Sequence, residues 1–199
     1  MIISINPINP QGRLLTKVAS LLKDGAIIAY PTDTQYGLGC DISQKKSIEK
    51  IYKIKQRSPK SPFSIICADL THISEYAIIS NFAYRTLKRL LPGPFTFVLP
   101  GTRLVPQIML TKRHEVGLRV PNHPIAIELV RALGRPLINT SARLDTMDRA
   151  LTSPQEIEGA FKGMVDAVID GGPVPGEPST LVSLIDDEPN ILRQGLGIF

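Results

Sequence analysis

Lys55 and Arg57 are the residues in this chain best suited to chemistry. They stand two apart in Lys53-Ile-Lys-Gln-Arg-Ser-Pro-Lys60, next to Pro59 and Pro62. The segment they close carries seven basic side chains (Lys45, Lys46, Lys50, Lys53, Lys55, Arg57 and Lys60) against one acid, Glu49. At about 100° per residue, Lys46, Lys50, Lys53 and Arg57 share one helical face, while Ile48, Ile51, Tyr52 and Ile54 spread over the other. A stripe of this kind is by itself an ordinary solvated helix surface. Lys55 breaks the pattern: continued as helix it falls in the apolar arc, where burying an unpaired ammonium is costly. The helix is therefore expected to end near Ile54, with Lys55 and Arg57 entering a loop stiffened by the two prolines. Two cations on a stiff loop call for an anionic partner, and a polyphosphate would satisfy them.

Further polar groups gather in other loops. Tyr30-Pro-Thr-Asp-Thr-Gln-Tyr-Gly-Leu-Gly39 follows an apolar run and holds two threonine hydroxyls, a carboxylate and two glycines. Its local chemistry also fits a plain Pro/Gly turn with Asx- or Thr-type capping. Leu91-Pro-Gly-Pro-Phe-Thr-Phe97 reads as a stiff turn entering a strand. Asn139-Thr-Ser-Ala-Arg143 puts hydroxyls and a cation directly after a short strand, where open α/β sheets bind ligands. Pro178-Ser-Thr180 and Arg193 add hydroxyls and a cation near the C-terminus. There is no G-x-x-x-x-G-K-[ST] loop and no G-x-S-x-G elbow, and Gly37-Leu-Gly39 is too short a match for a dinucleotide fingerprint.

These loops need elements to hold them. Strands are predicted over 2–5, 26–30, 63–67, 95–99, 117–120, 137–139, 165–169 and 181–185. Helices are predicted over 14–23, 47–54, 81–91 with Asn81 as N-cap, 124–133 ending at Gly134, and near 154–161. Short β-branched runs alternating with helical patterns argue α/β layers, and no linker interrupts them, so a single domain over 1–199 is expected.

With 199 residues, 43% hydrophobic and 21% charged, the composition is that of a globular protein with a sizeable core. No apolar run approaches the roughly 18 residues of a membrane helix, and the N-terminus lacks an export signal. Cys40, Cys67, His72, His114 and His123 form no metal-ligand spacing, and the two thiols read as buried groups in a reducing cytoplasm. A formal charge of +5 favours anionic partners, nucleotides or RNA.

Seven segments occur in the order found in YrdC-like proteins, which include the bacterial threonylcarbamoyl-AMP synthases. They are Pro31-Thr-Asp-Thr-Gln-Tyr-Gly-Leu-Gly39, Lys55-Gln-Arg57, Pro92-Gly-Pro-Phe-Thr-Phe97, Leu118-Arg-Val-Pro-Asn-His-Pro124, Thr140-Ser-Ala142, Pro178-Ser-Thr180 and Leu192-Arg193. The resemblance covers essentially the whole chain, and within the family the stretch from Leu99 to Pro124 is most similar to the YciO branch. It implies a twisted open α/β sheet with surrounding helices and a concave basic face. It also implies joining of L-threonine, bicarbonate and ATP into threonylcarbamoyl-AMP and pyrophosphate, with Mg²⁺ among the triphosphate oxygens. By the same resemblance, Lys55 and Arg57 are the catalytic cations. ATP contacts are expected from Lys55, Arg57, Ser61, Ser141, Arg143 and Arg193, and threonine contacts from Thr34, Arg119 and Ser179. No protein-held metal site is implied.

Two positions depart from the synthase pattern. Arg143 stands where the synthases carry Asn, so a donor-only cation replaces a group that both donates and accepts. Ile66 stands where a His would contact threonine. Three readings follow: an authentic synthase, a paralogue with related adenylate chemistry, and a non-catalytic protein binding double-stranded RNA or tRNA through Lys46, Lys50 and Lys53.

Overall fold

The computed structural model describes residues 1–58, 63–144 and 149–199. Pro59, Lys60, Ser61 and Pro62 therefore lie outside the described residues, and the expectations for Ser61 and the two prolines with them. Among the described residues the strands are β1 (Ile2–Ser4), β2 (Ile28–Tyr30), β3 (Gly37–Gly39), β4 (Ser64–Ile66), β5 (Phe95–Pro100), β6 (Glu115–Arg119), β7 (Leu137–Ser141), β8 (Ala167–Asp170), β9 (Thr180–Ser183) and β10 (Asn190–Arg193). They form one sheet in the order β1-β8-β2-β3-β7-β4-β6-β5-β9-β10. The sheet is mixed: β1/β8, β2/β8, β4/β6 and β5/β9 are parallel, and β2/β3, β3/β7, β4/β7, β5/β6 and β9/β10 are antiparallel. The helices are α1 (Gly12–Lys23), α2 (Lys45–Ile54), α3 (Leu70–Tyr76), α4 (Asn81–Leu90), α5 (Pro124–Leu133) and α6 (Pro154–Ala160).

Local sequence explains most of these elements. Leu15, Val18, Ala19 and Leu22 give α1 one buried face at helical spacing. Pro124 opens α5 at its first turn, and Gly134 closes it in the left-handed conformation at φ 78°. Ser153 and Glu156 form a reciprocal capping box at the start of α6. For α4 the cap is Ser80, not the expected Asn81: its hydroxyl accepts from the Ala83 N–H, and Asn81 becomes the first helical residue.

Three elements went unread. α3 is short and capped by Asp69. β10 is an exposed edge strand without a buried face. β3 is hidden in a segment that looks like a turn because two of its three residues are glycine. The sheet itself demands them. A Cβ at Gly39 would sit 2.1 Å from the Ile138 carbonyl oxygen, and one at Gly37 would sit 2.5 Å from Asn139 Oδ1.

The two faces of the sheet are covered unequally. One face carries α2, α3, α4 and α6 over a continuous core that includes Leu38, Ile51, Ile65, Phe97, Leu118 and Ile157. On the other, α1 and α5 pack over Ile28, Tyr30, Ile66, Leu137 and Ile169. Strand alternation puts Ser64 on the same face as Ile66, and Asn139 and Ser141 on the same face as Leu137. Those polar residues line an open hollow instead. The helices stop, and the uncovered part of the sheet face becomes the cavity floor.

Gly39→Ala is expected to destabilise the protein by about 2 kcal/mol or more, since the clash is with backbone that cannot rotate away. Gly12→Ala, with nothing within 4 Å of its added carbon, is expected to be close to neutral. Urea unfolding of both variants checks this, and equal midpoints would refute the glycine argument for β3.

Candidate functional site

The cavity on the open face has a volume of about 350 Å³. Its walls come from the β2–β3 loop, the residues after α2, the strands β4 to β7, and the start and end of the β9–β10 hairpin. Of the residues singled out in the sequence, Thr34, Arg57, Arg119, Ser141, Ser179 and Arg193 all line it.

Arg119 is the anchor. It lies at the end of β6, 4% exposed, and its Nη2 donates to Thr34 Oγ1 at 2.7 Å and to Asp33 Oδ1. Asp33 Oδ2 accepts the Asn122 backbone N–H at 3.0 Å. Burial lowers the Arg119 pKa and the Asp33 carboxylate opposes that shift, so the guanidinium stays charged at any ordinary pH. Its Nε is buried without a hydrogen-bond partner among the described residues. A buried charged donor left unpaired is costly, and a bound anion or carboxylate would satisfy it.

Two further guanidiniums approach. Arg193 Nη2 donates to the Ser179 carbonyl at 2.8 Å, and Ser179 Oγ is paired with Thr96 Oγ1 at 2.8 Å. Burial, then the positive charges of Arg119 and Arg57, lower the Arg193 pKa. Three like charges sense one another across the same hollow, which is electrostatically unfavourable until an anion enters.

Lys55 behaves differently from Arg57. It caps α2 where the helix was expected to end, but its side chain turns inward and is 2% exposed. Its Nζ donates to the Ser141 carbonyl at 3.0 Å and to the Arg143 carbonyl. These two backbone carbonyls tie the ammonium to the end of β7, directly behind the Ser141 that lines the cavity. Arg143 is exposed and does not line the cavity. Lys46, Lys50 and Lys53 form the expected exposed face of α2, and Ile66 is fully buried under the other helices, away from the lining.

Several lining residues escaped sequence reasoning. Asn139 is held by the Tyr30 hydroxyl, which donates to Oδ1 at 2.8 Å, leaving Nδ2 for Ser64 Oγ at 3.1 Å. Burial raises the Tyr30 pKa and pushes that of Tyr36 up to about 12, so both phenols remain donors. Ser64, Thr96, Thr111 and Glu115 were also passed over. The available signal was a polar side chain at alternate positions of otherwise apolar strands, as in Thr96 beside Phe95 and Phe97.

A family model described as Telomere recombination, the Sua5/YciO/YrdC domain, matches residues 20–195. The YciO protein of Escherichia coli K12, described as uncharacterized, is 40% identical over 194 residues, covering 97% of this chain and 94% of its own. A threonylcarbamoyl-AMP synthase of Bacillus subtilis is 32% identical over 185 residues, 91% of this chain and 53% of the synthase. This chain thus spans about half the length of that synthase. Among solved structures, E. coli YciO superposes with TM-score 0.94 at 39% identity, covering all of this chain and 97% of that one. Pyrococcus abyssi Sua5 complexed with L-threonine superposes with TM-score 0.91 at 30% identity, covering 98% of this chain and 57% of that one.

Asp33→Asn is expected to cost about 3 kcal/mol of stability by leaving the Arg119 charge uncompensated in the interior. Adding Arg119→Met is expected to recover part of that loss, because no unpaired charge then remains. Chemical denaturation of the single and double variants tests the pair, and a near-neutral Asp33→Asn would contradict it.

Proposed function

The chain belongs to the Sua5/YciO/YrdC family, and from that premise we propose that it binds ATP and threonine in the open cavity. The reaction proposed is formation of L-threonylcarbamoyl-AMP from threonine, bicarbonate and ATP, or a diverged form of that activity. The observation that carries this reading is the convergence of Arg57, Arg119 and Arg193 on one hollow lined by the Thr34, Ser141 and Ser179 hydroxyls. Threonine is favoured as the amino acid because the Pyrococcus Sua5 structure of the same fold is a complex with it.

In this reaction the amine of threonine takes up bicarbonate to give a carbamate, with loss of water. A carbamate oxygen then attacks the α-phosphorus of ATP, and pyrophosphate leaves. No covalent enzyme intermediate is needed; the protein positions reactants and stabilises phosphate charge. Arg119 Nε would receive the threonine carboxylate or a phosphate oxygen, with Thr34 and Ser179 beside it. Arg57 and Arg193 would hold the triphosphate, and Lys55 would add charge from beneath Ser141. Among the described residues no cluster of three His, Cys, Asp or Glu side chains could hold a metal. Mg²⁺ fits this site as an ion carried by the triphosphate, where it would neutralise phosphate charge. Released threonylcarbamoyl-AMP would serve modification of adenosine 37 in tRNA, and a cytoplasmic location suits that role.

RNA binding is a second reading, favoured by the exposed Lys46, Lys50 and Lys53 on the face of α2 that leads into Arg57 at the cavity. It predicts affinity for double-stranded RNA or tRNA that falls steeply with salt and weakens on Lys50→Ala.

The synthase reading is tested by incubating the protein with ATP, Mg²⁺, bicarbonate and threonine. Pyrophosphate release that requires threonine, with threonylcarbamoyl-AMP identified by mass spectrometry, is the expected result. Absence of threonine-dependent release under conditions where ATP binds would rule out synthesis and leave a diverged paralogue.

A further inference from the structure

Of the side chains lining the cavity, Glu115 carries the one carboxylate among the described residues, facing a lining whose other charges are Arg57, Arg119 and Arg193. It opens β6, and Arg119 ends the same strand four residues later. Glu115, Gly117 and Arg119 project to the same face, and at about 3.3 Å per residue the two charged ends lie roughly 13 Å apart along the strand. Gly117 lies between them, where an added carbon would already be 3.3 Å from Ser64 Cβ and 3.4 Å from Thr96 Cγ2. The strand therefore forms a flat floor, negative at one end and positive at the other.

The neighbours sharpen this polarity. Near Arg119 the walls are hydroxyl-rich, with the Thr96–Ser179 pair and Arg193 on the Ser179 carbonyl. Towards Glu115 they turn apolar: Val98, the cross-strand partner of Gly117, joins the lining. Thr111 Oγ1 donates to Glu115 Oε2 at 3.2 Å and accepts the Glu115 N–H at 3.0 Å, which fixes the carboxylate at the rim.

Resting on the ATP reading above, we infer that Glu115 is a specificity-determining residue that receives the ribose hydroxyls of the nucleotide and orients its phosphates towards Arg57, Arg119 and Arg193. An α-amino acid is too short to join the two ends, since one carbon separates its amine from its carboxylate. An extended nucleoside phosphate has the length to join them: its anionic end meets the guanidiniums, its vicinal hydroxyls reach Glu115, and its apolar base lies against Val98, which faces Gly117 between the two ends. A carboxylate accepting ribose hydroxyls is established chemistry in other nucleotide-binding folds. At the same time its charge repels phosphate from the wrong end.

The test is binding of three probes in Mg²⁺ buffer, ATP, 2′,3′-dideoxy-ATP and inorganic tripolyphosphate, to the wild-type protein and to Glu115→Ala and Glu115→Gln. Glu115→Ala is expected to weaken ATP roughly tenfold or more, the loss of a hydrogen bond to a charged acceptor. Glu115→Gln, which keeps a neutral acceptor, is expected to fall between. Dideoxy-ATP should already bind the wild-type protein weakly and change little in the variants, while tripolyphosphate holds or tightens as a negative charge is removed. Retained tripolyphosphate binding also shows that the variant site is folded. Unchanged ATP affinity in Glu115→Ala overturns the inference while leaving the ATP reading in place. Equal losses for ATP and dideoxy-ATP overturn the ribose assignment. Parallel loss of ATP and tripolyphosphate reveals a role only in holding the Thr111 turn, and overturns it too. A wild-type protein that binds neither ATP nor tripolyphosphate refutes the functional reading itself, and the inference with it.

Discussion

The buried pair of Arg119 and Asp33 joins parts of the chain that are otherwise separate. Asp33 comes from the loop between β2 and β3, Arg119 from the far end of β6, and the sheet places β7 and β4 between them. Their contact, extended by the Asn122 N–H on Asp33 and the Thr34 hydroxyl on Arg119, pins that loop across the cavity wall. Burying such a pair rarely adds stability compared with apolar packing, because desolvation offsets the attraction. What it provides here is a fixed guanidinium with one donor, Nε, still unsatisfied among the described residues. The remaining cations gain their meaning from this fixed charge, since Arg193 and Arg57 share the hollow with it.

A half-covered sheet face makes that hollow possible. Period-two alternation puts Ile66 and Ser64 on one face of β4, yet one packs beneath helices and the other meets the cavity. This geometry also gives the departure at Ile66 a physical meaning: its side chain belongs to the core under α1 and α5, so it contributes no polar contact to the cavity. Arg143 departs in a milder way. Its backbone carbonyl binds Lys55 while its side chain stays exposed, so this loop holds the lysine through its main chain rather than shaping the lining through its side chain.

Amphipathic helices were legible because their periodicity is local: the buried face of α1 and the Gly134 stop of α5 can be read from a dozen residues. The end of α2 at Ile54 was legible for the same reason, since Lys55 could not continue an apolar face. What Lys55 does next was not, because its partners are the carbonyls of Ser141 and Arg143, some 86 and 88 positions away. β3 was missed because its glycines answer to a neighbouring strand rather than to their own dihedral preferences. Asp33 read as a carboxylate in a turn-like loop and Glu115 gave no local signal; the pairing of β6 into the sheet sets Arg119 against the first and the second into the cavity lining. Thr34, Arg119, Ser179 and Arg193 reached the candidate list through resemblance, and the fold brings all four to the same cavity.

The central claim is that the convergent guanidiniums make this cavity a nucleotide site. Calorimetric titration of Mg²⁺–ATP into the wild-type protein and into Arg193→Ala tests it most directly, since Arg193 sits on an exposed edge strand whose loss leaves the core intact. The account predicts saturable binding to the wild-type protein and at least a roughly tenfold weaker affinity in the variant, as expected for lost charge-assisted hydrogen bonds. Equal affinity in both proteins would contradict it.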